Sequence, residues 1–85
     1  MIGQQHTVGT TPTLIVDSDS VNRTIVIHTI GNGVVYLGGS VVAAGSGFYL
    51  DKAAGPVVMQ LPPGEKLNGI VTTGTDVVST LLPDA

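Results

Sequence analysis

The stretch Arg23-Thr24-Ile25-Val26-Ile27-His28-Thr29-Ile30-Gly31-Asn32-Gly33-Val34-Val35-Tyr36-Leu37 decides the fold. Successive side chains of a strand point to opposite faces, so Ile25 and Ile27 share one face while Thr24, Val26 and His28 share the other. The β-branched residues favour the extended backbone that this alternation needs. Gly31-Asn32-Gly33 tolerates the positive φ of a tight turn, and an apolar run resumes at once. The pattern predicts strands over 23–30 and 34–37, joined as a hairpin.

Glycine and proline cut the rest of the chain into similar short pieces. Residues 13–17 read as a strand. Residues 41–44 read as a short strand or an extended crossing between Gly38-Gly39-Ser40 and Gly45-Ser46-Gly47, after which 48–50 is extended again. Residues 51–55 read as loop. Pro56 opens a strand over 57–61, which Pro62-Pro63-Gly64 must end because no central strand accommodates two prolines. Residues 66–73 and 76–82 flank Thr73-Gly74-Thr75 as a second hairpin, with Asn68-Gly69 kept inside the strand despite its turn chemistry. No ten-residue window carries helical periodicity free of Gly, Pro and β-branched runs, so helix is expected near zero.

The fold class is therefore all-β, a small single-domain β-sandwich or barrel of six to eight short strands. Its expected core is Ile25, Ile27, Val35, Leu37, Val57, Met59, Leu61, Ile70, Val77 and Leu81. Residues 1–12 differ from the domain at 13–85, being rich in Gln, Thr and Gly with only Ile2 and Val8 as large apolar side chains. They are expected as an extended arm that adds itself to a neighbour's sheet edge. Ile2, Gln4, Gln5, Thr7 and Val8 are its contact residues and Pro12 its stiff joint to the domain. The plainer alternative is an edge strand of the chain's own domain. On the arm reading, deleting residues 1–11 leaves a folded domain.

Charge narrows the function. Of 85 residues three are basic and six acidic, or 11 %, against roughly 25 % in ordinary soluble domains. An uncharged surface can be dehydrated without stranding a charge, which suits a protein packed against copies of itself or a larger lattice. With net charge −3 the chain has little to hold a phosphate backbone, and its aromatics are only Tyr36, Phe48 and Tyr49, so nucleic acid is excluded as a partner. Cysteine is absent and no His and Cys are spaced to hold zinc, which leaves oligomerisation as the means of stabilising so small a domain. Met1-Ile2-Gly3-Gln4-Gln5-His6 lacks the basic start and apolar stretch of a secretory signal, and no apolar run nears the roughly 20 residues that span a bilayer. The expectation is a chain made in a host cytoplasm and used without export through a membrane, with no membrane partner.

Candidate chemistry is sparse. Asp17-Ser18-Asp19-Ser20 offers two carboxylates to a cation, but Val21-Asn22-Arg23 adds one amide and a repelling charge, so a turn capped by its own side chains is expected. His6 and His28 are too far apart in sequence to pair, and no Gly-x-Ser-x-Gly elbow selects a nucleophile. The glycines at 38, 39, 45 and 47 lack the Gly-Lys-Ser/Thr of a phosphate loop. Lys52 lies in Asp51-Lys52-Ala53, a poor match to a carrier-domain hairpin, and Asn22-Arg23-Thr24 fits a glycosylation acceptor only in an exported chain. No enzyme, cofactor or metal site is expected.

The run Val34-Val35-Tyr36-Leu37-Gly38-Gly39-Ser40-Val41, then Gly47-Phe48-Tyr49-Leu50, Pro63-Gly64-Glu65-Lys66-Leu67 and Thr73-Gly74-Thr75-Asp76-Val77-Val78, resembles small β-rich virion proteins of tailed bacteriophages. The resemblance covers about residues 23–82. It departs at Asp51-Lys52-Ala53-Ala54-Gly55-Pro56, where a shorter connection is usual. It implies a head decoration, or cement, protein: a homotrimer on the exterior of an icosahedral capsid, tied to the major capsid protein by the N-terminal arm. The alternative from another class is an adhesion or carbohydrate-binding module on a phage tail or head fibre.

Overall fold

The computed structural model describes residues 2–43 and 45–83, with backbone alone at Ala54; the expectations for Ala44, for Met1 and for the end of the domain at 84–85 lie outside the described residues. Eight strands form among them: β1 (Ile2–Val8), β2 (Thr13–Val16), β3 (Arg23–Thr29), β4 (Val34–Gly38), β5 (Phe48–Asp51), β6 (Val57–Leu61), β7 (Leu67–Ile70) and β8 (Asp76–Leu82). The helical content is one 3₁₀ turn at Lys52–Ala54, in the segment expected as loop. Residues 41–43 form no strand. Val41 sits at the tip of a turn closed by a bond from the Val42 N–H to the Gly39 carbonyl (3.1 Å), and Val42 folds back against Gly38.

The pairing is nested. β1 pairs with β8, β2 with β7, β3 with β6 and β4 with β5, all antiparallel, so the chain is one long ribbon folded at the β4–β5 tip. Rolling that ribbon adds the side contacts β3 to β8 and β4 to β7. The result is two four-stranded sheets, sheet I in the order β1-β8-β3-β6 and sheet II in the order β2-β7-β4-β5. This is the jelly-roll arrangement of a β-sandwich, not a closed barrel.

Both expected hairpins are corrected. β3 and β4 lie in different sheets, because β3 already has β6 along one edge and β8 along the other. Ile25 and Ile27 therefore meet Val35 and Leu37 face to face across the core. The Gly31-Asn32-Gly33 loop carries the chain between sheets, and none of its residues has positive φ. Its glycines serve a different need. The Asp76 carboxylate accepts the Gly33 N–H (2.9 Å), and a Cβ on Gly31 would overlap that carboxylate. The turn at Thr73-Gly74-Thr75 likewise joins sheet II to sheet I, with Gly74 at φ 68°.

The core holds Ile25, Ile27, Val35, Leu37 and Leu61 as expected, with Val57 and Met59 packed partly against it. Ile70 is buried but stands outside that cluster, on the outer side of sheet II beside Tyr36. β8 has the opposite phase to the one expected. Val78 and Leu82 face inward with Asp76 and Thr80, while Leu81 is exposed and Val77 half-buried. A shift of one residue turns every side chain over, and the doublets Val77-Val78 and Leu81-Leu82 fit either phase.

The segment expected as an arm is, in this chain, the edge strand kept as the alternative. β1 pairs with β8 over its whole length, from Ile2↔Leu82 to Val8↔Asp76. Val8 is fully buried in the core. Deleting residues 1–11 would take that side chain out and leave β8 without a neighbour on one edge, so the shortened chain is not expected to keep its fold.

Candidate interaction surface

Residues of the four strands of sheet I that point away from the core come together on one face. β1 contributes Gly3, Gln5 and Thr7; β8 contributes Val77, Ser79 and Leu81; β3 contributes Thr24, Val26 and His28; β6 contributes Val58 and Gln60. Register places Gly3, Leu81, Val26 and Val58 in one row across the sheet. Val58 is 66 % exposed and Leu81 39 %. Among the described residues, no Asp, Glu, Lys or Arg lies on this face.

The charges are at the strand ends. Asp17 and Lys66 approach to 3.9 Å across two loops, an exposed pair of little energetic weight, and the Arg23 guanidinium donates to the Asp17 carbonyl (2.7 Å). Asp51 ends β5 and accepts a hydrogen bond from the Tyr49 hydroxyl (3.0 Å). That bond, together with the repulsion of a nearby carboxylate, holds the Tyr49 phenol above its ordinary pKa.

At Val58 the uncharged face runs into an apolar cleft of about 370 Å³ between the free edges of the two sheets. Leu37, Phe48, Val57, Met59 and Leu67 line it, and Phe48 is 57 % exposed. A second recess, about 250 Å³, lies at one end of the sandwich and is mixed in character, with Tyr36, Val71, Thr72, Thr73 and Thr75 beside Asp76.

The six residues singled out from sequence are divided by the fold. Gln5 and Thr7 lie on the outer face of sheet I. Ile2 and Gln4 lie on the inner side of β1 but are exposed, since sheet II does not reach over them. Val8 is in the core, where no partner meets it, and Pro12 is exposed in the β1–β2 connection. The row formed by Leu81, Val26 and Val58 was missed, because β8 was placed in the wrong phase and β6 could not be seen beside β3.

Other candidates resolve into structure. The Asp17 and Asp19 carboxylates accept the N–H of Ser18 (2.7 Å) and Ser20 (2.6 Å), so they cap their own turns. His6 and His28 belong to opposite faces of sheet I and are separated by β8. Among the described residues no three His, Asp or Glu gather as a metal site, and no helix is long and apolar enough to cross a membrane. Comparisons with protein-family models, curated proteins and solved structures found no match.

Proposed function

We propose that the chain is a structural virion protein that decorates the exterior of a tailed-phage head, binding the major capsid protein through the outer face of sheet I. The uncharged face, continuous at Val58 with the apolar cleft, is the observation that carries this. Val26, Val58 and Leu81 supply the apolar contact, and Gln5, Ser79 and Gln60 supply hydrogen bonds at its margin. A patch this poor in charge loses little on dehydration, and repetition over the many equivalent sites of a shell turns a weak contact into firm attachment. The jelly roll itself is shared by capsid and lectin domains and decides nothing between them.

Image reconstruction of particles containing the chain tests the proposal. Density for it at equivalent sites on the outside of the head, with sheet I against the shell, is the expected result. Density confined to a few copies at the tail refutes it. Val58→Glu should leave thermal unfolding unchanged and empty those sites; full occupancy by the variant moves the contact elsewhere. The recess of mixed character, with Tyr36 beside three threonines, favours one second reading, a carbohydrate-binding module. A glycan-array hit that Tyr36→Ala abolishes would establish it.

A further inference from the structure

Sheet I ends on β1, and β1 lacks the devices that keep a sheet edge from pairing. Its seven residues, Ile2-Gly3-Gln4-Gln5-His6-Thr7-Val8, include no Asp, Glu, Lys, Arg or Pro, and its register with β8 contains no bulge. The other edges among the described residues are each blunted. β2 has four residues and a register shift between Leu14 and Val16. β5 has four residues and runs into Asp51 and Lys52. β6 is bracketed by Pro56 and Pro62-Pro63. Because alternate residues of an antiparallel strand turn their N–H and C=O to opposite sides, β1 offers a row of such groups away from β8.

We infer that β1 pairs antiparallel with β1 of a second copy of this chain, about a two-fold axis at Gln5. The two sheets then become one of eight strands, in the order β6-β3-β8-β1-β1-β8-β3-β6. Two observations select a second copy as the occupant. The chain carries net charge −3, yet β1 has no Asp, Glu, Lys or Arg to set like charges against each other when two copies meet there. The register sets His6 opposite Gln4 of the second copy, on the inner side of the strand. His6 Nε2 is shielded from solvent and has no hydrogen-bond partner. Directly opposed side chains have Cβ atoms about 4.5–5.5 Å apart, so the Gln4 amide is within reach of that nitrogen. The pairing stands independently of any attachment to a capsid.

The natural absence of cysteine supplies the test. In Gln5→Cys the new thiol lies on the two-fold axis, where the Cα separation of about 4.5–5.5 Å suits a disulfide. Mild oxidation should convert most of this variant to a covalent dimer, while Leu14→Cys on β2 should cross-link far more slowly. Sedimentation of the unmodified chain at about 100 µM should give a dimer whose affinity changes less than about twofold between roughly 0.05 and 0.5 M salt. Gln5→Lys, exposed and opposite Ser79 within its own chain, should keep its melting temperature and weaken the dimer about tenfold or more. A monomer or a trimer at that concentration overturns the inference, as does a dimer indifferent to Gln5→Lys or equal cross-linking of the two cysteine variants. Failure of these tests leaves the capsid proposal standing, and failure of the capsid proposal leaves these tests unchanged.

Discussion

Asp76→Ala should be among the most damaging substitutions in the chain, although it removes a single carboxylate from the first residue of β8. Asp76 is 6 % exposed. Its Oδ2 accepts the Gly33 N–H at 2.9 Å and its Oδ1 accepts the Val77 N–H at 2.8 Å, so one side chain pins the β3–β4 connection to the start of β8. A hydrogen bond to a charged group contributes about 1.5–3 kcal/mol, and the Val77 bond, between chain neighbours, counts for less; the loss should be about 3 kcal/mol. A domain of this size has roughly 5–10 kcal/mol in all and melts about 4–8 °C lower per kcal/mol lost, so the melting temperature should fall by about 12–24 °C. Far-UV circular dichroism during heating at neutral pH measures it. A double-mutant cycle sharpens the result. Gly31→Ala drives a methyl group into the carboxylate, and removing the carboxylate makes room for it. Gly31→Ala should therefore cost less in the Asp76→Ala background than alone, by about 1 kcal/mol or more. A fall under about 4 °C for Asp76→Ala, or strict additivity of the pair, would refute the pinning role.

Thr29 is fully buried and its hydroxyl has no partner among the described residues, so Thr29→Val should raise stability by about 1 kcal/mol in urea unfolding; a loss would show that the hydroxyl is satisfied. Gly69 faces the core with its Cβ position 2.8 Å from Ile15 Cδ1 and 3.1 Å from Val35 Cγ1, so Gly69→Val should cost about 1–3 kcal/mol by overpacking. Tyr49 is held above its usual pKa by the bond to Asp51 and then by that carboxylate's charge, which means the fold favours the protonated phenol. Its contribution to stability is complete below the unfolded value near 10 and is lost as pH rises through the higher folded value. Ultraviolet titration of the phenolate should move back toward the ordinary range in Asp51→Asn, and an unmoved curve would assign the shift elsewhere.

The strands were legible in the sequence because alternation is written residue by residue; their partners were not. Ile25 and Ile27 require apolar company on one side, and Val35 and Leu37 supply it equally well beside them in a hairpin or opposite them in a sandwich. What decides is that β6 and β8 take both edges of β3, with the distant Asp76 carboxylate accepting the Gly33 N–H from 43 positions away; none of this is legible in residues 23–37. β1 was obscure for another reason. Ile2 and Gln4 on its inner side are exposed and His6 is polar, so only Val8 reports which face is buried. The scarcity of charge was plain from composition, but its concentration into one face follows from the order β1-β8-β3-β6, which lays four segments distant in sequence side by side.

The nesting of pairs also sets the order in which a newly made chain acquires structure. β4 and β5 are close in sequence and can associate early, whereas β1 must wait for β8, the last of the eight strands described. Sheet I then closes in milliseconds to seconds, the pace of domains built from distant contacts. Until β8 arrives the uncharged β1 backbone stays open to neighbouring nascent chains, a stage at which unpaired strand edges are prone to associate.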